Sequence, residues 1–332
     1  MPQDVDFGLP FPPRMSADLA SVTRHNTDWV REFGLVVGDA AVNWYVSWDM
    51  PKLAACGYPY AAGEGLALCA DTMAFFFLFD DQFDGPLGRQ PSRAAAAVRD
   101  LIGVVHELGP RTENPLTRAF RDIWSRARRG ADASWCARTA HEWEYYFASY
   151  AHEAINRCRG VPADMERFVE VRRGMSGTGL PISLGERAAG VQVPPVAFHS
   201  PQLRIMRQIT TDVTFMCNDV YSLEKEAARG DMDNIVLVIE KESGLCREDA
   251  VSETCRRVRR RCARFCELAA EIPALCLELG LDATRSSAVQ QYVEVMSAWI
   301  CGYHDWETET LRYTTSHQVV PHTQPGYFHG LL

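Results

Sequence analysis

The sequence predicts an all-α protein that forms one domain over residues 1–332. Apolar residues recur at helical spacing along most of the chain, without the alternation that is typical of a strand. Short Pro- and Gly-containing stretches, such as residues 57–59 and 109–110, separate these periodic segments. Hydrophobic residues make up 47% of the chain and charged residues 23%, which is ordinary for a globular domain with a large core.

The elements follow in order from this pattern. Residues 1–15 include four prolines and predict an extended N-terminal arm, and residues 314–332 predict a mobile C-terminal tail. We expect Pro273 to interrupt one of the later helices. The predicted helices are Ser16–Phe33, Ala61–Phe83, Arg93–Glu107, Asn114–Arg129, Ala133–Arg157, Ala163–Glu186, Pro201–Arg229, Val236–Glu242, Arg247–Leu279 and Ala283–Leu311.

Charge and cysteine content exclude several classes of protein. Lys and Arg total 34 against 43 Asp and Glu, and this net charge of −9 argues against a nucleic-acid partner. The eleven cysteines form no Cys-x-x-Cys pair, which predicts free thiols and a cytoplasmic location. The start lacks a signal-peptide pattern, and the apolar run Met73–Phe79 is too short for stable membrane insertion. A homodimer is compatible with this composition.

The most informative motif is FFFLFDDQFDG, residues 75–85, in which an apolar helix ends in three aspartates. Asp80 and Asp84 are four residues apart and share a helical face, whereas Asp81 must lean in or act through water. Carboxylates this close together repel unless a cation lies between them, and Mg²⁺ prefers such oxygen ligands. A solvated helix end is the alternative, but acidic residues there oppose the helix dipole.

A second polar series lies in NDVYSLEKEAARGD, residues 218–231. Asn218, Ser222 and Glu226 are spaced four residues apart, so three oxygen donors line one helical face and suit a single Mg²⁺. Lys225 and Arg229 flank them as candidate ligands of diphosphate. In isolation this series fits an ordinary amphipathic helix. Together with the first motif it predicts metal ions around a diphosphate, whose departure such charges favour.

The two motifs resemble the aspartate-rich motif and the NSE triad of class I terpene synthases, and the likeness extends over nearly the whole chain. Within that family, stretches such as FFLFDDQFDGP and SLEKEAARG resemble bacterial sesquiterpene cyclases in particular. The resemblance implies an α-helical bundle around a central active-site cavity. It also implies a lyase that uses three Mg²⁺ ions to ionise a prenyl diphosphate, with farnesyl diphosphate as first choice, and cyclises the cation.

The resemblance also assigns basic residues to the diphosphate. Arg172 corresponds to the family's diphosphate-sensing arginine, with its neighbour Arg173 as the competing candidate. Arg312 and Tyr313 correspond to the late Arg-Tyr pair. A broken helix within residues 176–179 is expected to direct a carbonyl at the pocket, but which carbonyl stays open. The further basic residues that the family places near the diphosphate are Lys225, Arg229 and Arg157; an ordinary salt bridge is the alternative for each.

Aromatic side chains are expected to line the cavity, because a carbocation needs a dry pocket and is attracted to aromatic faces. Phe76 and Phe77 lie one helical turn before Asp80, and Trp306 precedes the Arg-Tyr pair, so we assign these three to the cavity wall. Phe75 and Phe79 are assigned to the core.

The same residues also bear on alternative functions. A diterpene cyclase acting on geranylgeranyl diphosphate is the first alternative, since Ala74 and the small residues 176–179 would widen the cavity. A more remote alternative is a non-catalytic all-α prenyl-diphosphate-binding protein, which would show a gap in one metal motif. A chain-elongating prenyltransferase would carry two aspartate-rich motifs, and a di-iron bundle would carry paired Glu-x-x-His motifs.

Overall fold

A computed structural model describes residues 5–159, 164–229, 233–313 and 330–332. For residues 228 and 229 it describes the backbone only. These ranges contain fourteen α-helices and no strand, which confirms the all-α prediction. Residues Pro86–Arg89 and Leu311–Tyr313 form short 3₁₀ helices. The α-helices are α1 (Leu19–Glu32), α2 (Asp39–Val46), α3 (Met50–Gly57), α4 (Gly63–Asp80), α5 (Pro91–Val105), α6 (Pro115–Arg128), α7 (Ala133–Arg159), α8 (Met165–Ser176), α9 (Gly179–Ala188), α10 (Pro195–Phe198), α11 (Pro201–Arg229), α12 (Ile235–Ser243), α13 (Arg247–Glu278) and α14 (Ala283–Glu309).

Helix α4 lies at the centre of the bundle and carries the first motif to its site. It is apolar on all sides, which is the pattern of a buried helix, and it contacts α1, α3, α6 and α9. Phe75 and Phe79 are fully buried and stack on each other, with ring centroids 5.8 Å apart. Each such burial contributes about 1.5–3 kcal/mol. The position of the aspartates at the end of α4 is therefore fixed by the core.

The predicted helix Ala163–Glu186 is in fact two helices, α8 and α9. The chain turns between them at Gly177, whose φ of +59° lies in the left-handed region that favours glycine. A Cβ on Gly177 would also lie 2.9 Å from the ring of Tyr146, so the backbone approaches α7 closely. Pro181 falls in the first turn of α9, where its missing N–H removes no helical bond.

Helix α13 runs unbroken through Pro273, so the expected interruption there was wrong. Pro273 lies on the exposed side of the helix, where water can satisfy the carbonyl that its missing N–H leaves unpaired. On the opposite side Ile272 and Cys276 are buried, and their packing holds the two halves of α13 in line.

Helices α2, α3 and α10 were not anticipated. They are only eight, eight and four residues long. Helix α3 packs against α14, and seven of its eight residues are buried. Because it has no exposed polar face, its sequence does not show the periodic spacing of apolar and polar residues that predicts a helix.

Both ends of the chain contact the bundle. Residues 5–15 are irregular, and Phe7 within them is fully buried against Tyr221 and His304. At the other end Leu331 is buried, and its N–H donates to Oε1 of Gln82 at 3.2 Å. The mobile tail predicted for residues 314–332 stays a prediction, because residues 314–329 lie outside the described ranges. Within the described part of the chain, no helix has the length and apolar content needed to cross a bilayer.

Candidate active site

A cavity opens between α4, α7, α8, α9, α11 and α14. Its empty volume, including the open entrance, is about 760 Å³. Met73 and Phe76 of α4 line its interior, and the charged ends of α4 and α11 meet at its mouth. The cavity is therefore apolar inside and polar at the entrance.

Asp80 is the aspartate of the first motif that lines the cavity. The hydroxyl of Tyr150, on α7, donates to its Oδ1 at 3.0 Å and orients the carboxylate. Desolvation raises the pKa of Asp80, and the negative charges of Asp84 and Asp81 raise it further, whereas Lys225 opposes the shift. The carboxylates thus crowd one another in the way that a bound cation would relieve.

Asp81 does not lie in the cavity lining, so of the two possibilities expected for it the structure does not support a direct lean toward the metal site. Its Oδ1 and Oδ2 accept hydrogen bonds from Arg312 at 2.5 and 3.2 Å. The Arg312 guanidinium is 5% exposed and lies over the rings of Trp48 and Phe77, at 4.4 and 4.9 Å from their centroids. Asp81 therefore holds Arg312 at the mouth, where Arg312 lines the cavity as expected.

Asp84 connects the first motif to the second. Its Oδ2 lies 3.6 Å from Nζ of Lys225, which is on α11. The side chains are 19% and 11% exposed, so this contact lies at the partly sheltered mouth of the cavity. The two motifs, more than 130 residues apart in sequence, are brought together by an ion pair.

The second motif has the predicted geometry. Asn218, Ser222 and Glu226 follow one face of α11, and all three line the cavity. The Oγ of Ser222 is buried and makes no well-formed hydrogen bond among the described residues, but it lies close enough to Glu226 to lower the pKa of that carboxyl group. The Nδ2 of Asn218 donates to the hydroxyl of Tyr313 at 2.9 Å, which brings Tyr313 to the site. Burial raises the pKa of Tyr313 to about 12, so its phenol stays protonated.

Of the two adjacent arginines on α8, Arg172 faces the cavity and Arg173 does not. Nε and Nη2 of Arg172 donate to Oδ1 of Asp219 at 2.8 and 2.6 Å, and Nη2 also donates to Oδ1 of Asn218 at 3.1 Å. Burial alone lowers the pKa of Arg172, but the negative charges of Asp219 and Glu226 raise it, so the guanidinium stays charged. Arg173 instead pairs with Asp212, at 2.8 Å.

Asn234 organises the second motif from outside the cavity, and the sequence did not reveal it. It is fully buried at the start of α12, where its Oδ1 accepts from the N–H of Val236 at 2.9 Å. Its Nδ2 donates to Oε2 of Glu226 at 2.8 Å and to the backbone carbonyl of Asp219 at 2.6 Å. Burial raises the pKa of Glu226, and Asp219 adds to that rise, while the bond from Asn234 opposes it.

Arg157 does not lie in the cavity lining, and its contact with diphosphate stays a prediction. Its Nη1 donates to the carbonyl of Phe83 at 2.9 Å, and its Nη2 lies 2.8 Å from Oε1 of Glu153. It braces the loop that follows the first motif. The side chain of Arg229 lies outside the described residues.

Aromatic rings form much of the cavity wall. Phe76 and Phe77 line it as predicted. The ring of Phe76 stacks on that of Trp143, with centroids 5.2 Å apart and planes 19° apart, and meets Tyr146 edge-on. Four further aromatic residues line the cavity that were not assigned to its wall from the sequence: Tyr146, Tyr150, Trp299 and Tyr303.

Trp306 lies behind this wall, so its assignment to the cavity lining was wrong. It is fully buried, and its Nε1 donates to the carbonyl of Trp48 at 2.7 Å. Its ring packs edge-on against Phe77 and Tyr303, which do line the cavity. Trp306 thus supports two wall residues without reaching the interior.

The residues present fit a hard divalent cation. Asp80, Asn218, Ser222 and Glu226 offer oxygen donors on the two sides of one cavity mouth. The buried Ser222 hydroxyl makes no well-formed hydrogen bond among the described residues, and a metal ion held with Glu226 would satisfy its oxygen. Carboxylate, amide and hydroxyl oxygens are the donors that Mg²⁺ prefers.

Comparisons with known proteins agree with this geometry. Residues 71–264 match the family model described as terpene synthase family 2, C-terminal metal binding. Pentalenene synthase of Streptomyces exfoliatus is 35% identical, with 100% of this chain and 98% of that protein aligned. A caryophyllene synthase of Saccharothrix espanaensis, named as cyclising (2E,6E)-farnesyl diphosphate, is 33% identical over 100% of this chain and 94% of its own. The solved structure of germacradien-4-ol synthase from Streptomyces citricolor is 34% identical, covers 93% of this chain and 100% of its own, and superposes with a TM-score of 0.85.

An all-α bundle with a metal-binding mouth and an aromatic cavity defines a class I terpene cyclase. The chain belongs to the terpene synthase family, which confirms the resemblance seen in its motifs. It is accordingly a carbon–oxygen lyase of the terpene synthase type that uses a divalent metal.

Proposed function

We propose that the protein uses Mg²⁺ to ionise farnesyl diphosphate and cyclises the resulting cation to a cyclic sesquiterpene. The observation that carries this proposal is the meeting of two oxygen-donor sets at one mouth of an aromatic cavity. Asp80 lies on one side, Asn218 and Glu226 lie on the other, and Asp84 and Lys225 connect them at 3.6 Å. Diphosphate fits at the mouth, and the isoprenoid chain fits inside.

The residues that would hold Mg²⁺ are Asp80, Asn218, Ser222 and Glu226, with Asp84 as a fifth candidate. Three ions are proposed from the family resemblance. When bound, Mg²⁺ neutralises the charge that develops on departing diphosphate oxygens. Asp81 is left out of this set because it is engaged by Arg312.

Around the diphosphate, the chain contributes its own cationic donors. Arg172 and Arg312 line the mouth, and each is held by a carboxylate, Asp219 or Asp81. Because these carboxylates fix both arginines before any ligand arrives, the guanidinium groups need little reorganisation to receive an anion. Lys225 and Tyr313 complete the set, and Arg229 stays a prediction from the sequence.

Inside the cavity, the aromatic wall excludes water and stabilises positive charge. Phe76 and Phe77 present their rings where the isoprenoid chain would lie, and cation–π attraction contributes about 0.5–2 kcal/mol for each well-placed ring. Water would quench the cation, so the dry interior protects it until a proton is lost.

Farnesyl diphosphate is preferred to the longer geranylgeranyl diphosphate for two reasons. Ala74, one of the small residues expected to widen the cavity, is fully buried in the bundle away from the lining, although Ser176 and Thr178 do line it. The caryophyllene synthase relative is named for cyclising farnesyl diphosphate.

The experiment is to incubate the purified protein and Mg²⁺ separately with the C10, C15, C20 and C25 diphosphates and to analyse extracts by gas chromatography–mass spectrometry. We expect cyclic hydrocarbon from the C15 substrate. Asn218→Ala should abolish turnover, while Asn114→Ala, at the capping Asn of α6, should retain it. Cyclic product from the C20 substrate alone would overturn the proposed chain length, and no product from any would overturn the cyclase proposal. The homodimer and the cytoplasmic location stay predictions from the sequence.

A further inference from the structure

Cys217, His304 and Glu307 form a compact cluster outside the cavity lining. Their ligand atoms, a thiol sulfur, a ring nitrogen and a carboxylate oxygen, all lie within 4.8 Å of one another. Cys217 lies on α11 directly before Asn218, and the other two residues lie one turn apart on α14. Cys217 and Glu307 are 2% and 1% exposed, and the His304 side chain is 18% exposed.

One carboxylate oxygen in this cluster is incompletely satisfied. Oε1 of Glu307 faces Nδ1 of His304 at 3.3 Å, and the Asn218 side chain lies close enough to lower the pKa of Glu307, but Oε2 is buried and makes no well-formed hydrogen bond among the described residues. A buried carboxylate oxygen without a partner costs free energy. A metal cation that accepts a lone pair from this oxygen would remove that free-energy cost.

The donor set differs in kind from the proposed Mg²⁺ ligands. Thiolate, imidazole and carboxylate together are ligands of Zn²⁺ and similar ions, whereas Mg²⁺ selects oxygen alone. Metal binding displaces the thiol proton of Cys217 to solvent, and the resulting thiolate and the Glu307 carboxylate bring two negative charges, which neutralise one divalent ion in a buried place. Ligands at about 2.0–2.3 Å from Zn²⁺ lie roughly 3.3–3.8 Å apart in a tetrahedron, so side-chain shifts of about an ångström complete the site.

We infer that Cys217, His304 and Glu307 form a second metal site, which takes one thiophilic divalent ion of the Zn²⁺ class with water as the fourth ligand. His304 is the most exposed of the three residues, and the Phe7 ring packs against its imidazole with centroids 5.4 Å apart and planes perpendicular. Phe7 belongs to the irregular segment of residues 5–15, which Arg259 ties down through a 2.7 Å bond to the carbonyl of Asp6. Metal binding here requires no prenyl diphosphate, so it stands apart from the proposed function.

Co²⁺ is the probe, because a thiolate bound to Co²⁺ gives a charge-transfer band in the near-ultraviolet that oxygen ligands do not give. The full chain, kept reduced and in excess Mg²⁺, is titrated with Co²⁺. We expect the thiolate band to saturate at one ion per chain and to disappear when Zn²⁺ is added. Glu307→Gln should weaken Co²⁺ binding by at least about tenfold.

Two cysteine variants separate this site from other thiols. Cys217→Ser should abolish the band, whereas Cys276→Ser, at a cysteine that is 3% exposed on α13, should retain it. Asp80→Asn, on α4, should also retain the band, which distinguishes the site from the proposed Mg²⁺ ligands. Circular dichroism checks that each variant is folded. No band in the unmodified protein, or a band that survives Cys217→Ser or is lost in Cys276→Ser, would overturn the inference.

Discussion

Arg172 and Asp219 are joined by two hydrogen bonds that end on a single oxygen, from Nε at 2.8 Å and from Nη2 at 2.6 Å to Oδ1. The other oxygen of Asp219 accepts the N–H of Ile235 at 2.8 Å. One carboxylate therefore fixes the arginine of α8 and the start of α12 relative to α11.

Asp219→Asn should reduce the free energy of unfolding by about 3 kcal/mol, since it leaves the Arg172 guanidinium buried without its counter-charge. It should also raise KM for the prenyl diphosphate, because Arg172 loses its fixed orientation. Asp212→Asn is the matched control: Asp212 is 4% exposed and pairs with Arg173 and Arg261 outside the cavity. Urea unfolding and steady-state kinetics of both variants check this. The same KM change in both would contradict a positioning role for Asp219.

Asn234→Ala should raise the Mg²⁺ concentration needed for half-maximal activity by about tenfold, because Glu226 loses the amide that orients it. Asn114→Ala removes the corresponding capping side chain of α6, at a distance from the cavity. Both changes should cost about 1 kcal/mol of stability through the lost cap. Mg²⁺ titrations of activity separate the two effects. Equal Mg²⁺ requirements in the two variants would show that Asn234 acts only as a cap.

The parts of the site that lie on one helix could be predicted from the sequence, and the parts that join distant segments could not. Asn218, Ser222 and Glu226 share a face because α11 is regular, so their spacing is sufficient. Tyr150 bonds to Asp80 across 70 residues, and no local pattern encodes that contact. Trp306 was misplaced because α14 is buried on several sides, so periodicity does not tell which buried face meets the cavity.

Phe76→Leu should lower kcat about tenfold and change the distribution of products, because one ring of the cavity wall no longer stabilises the cation. Trp306→Phe should instead leave the products unchanged. It should lower the free energy of unfolding by about 1–2 kcal/mol, through the lost bond to the Trp48 carbonyl and the lost volume. Gas chromatography of the products and thermal unfolding of both variants test this contrast. An altered product distribution in Trp306→Phe would place that ring at the cavity after all.

Glu253 provides a pH dependence away from the active site. Hydrogen bonds from Arg257 lower the pKa of Glu253 to about 2, and those from Arg256 and Arg260 act in the same direction. A lowered pKa in the folded state means that the stabilisation is complete above the unfolded value of about 4.5 and is lost as pH falls toward 2. The free energy of unfolding of the unmodified protein should thus exceed that of Glu253→Gln by no more than about 1 kcal/mol at pH 7. Urea unfolding at pH 7 and pH 3 should show that difference shrinking at the lower pH, and a difference that grows on acidification would contradict it.

The contact between Lys225 and Asp84 has a consequence for the order in which ligands arrive. With Nζ 3.6 Å from a carboxylate of the first motif, the empty enzyme already balances part of the charge at its own entrance. A metal ion that arrives alone must compete with this resident ammonium group. In the proposed roles of these two residues, an incoming diphosphate would give Lys225 a new counter-ion and free Asp84. We therefore expect cation and substrate to promote each other's binding, so that little metal is loaded before the substrate arrives.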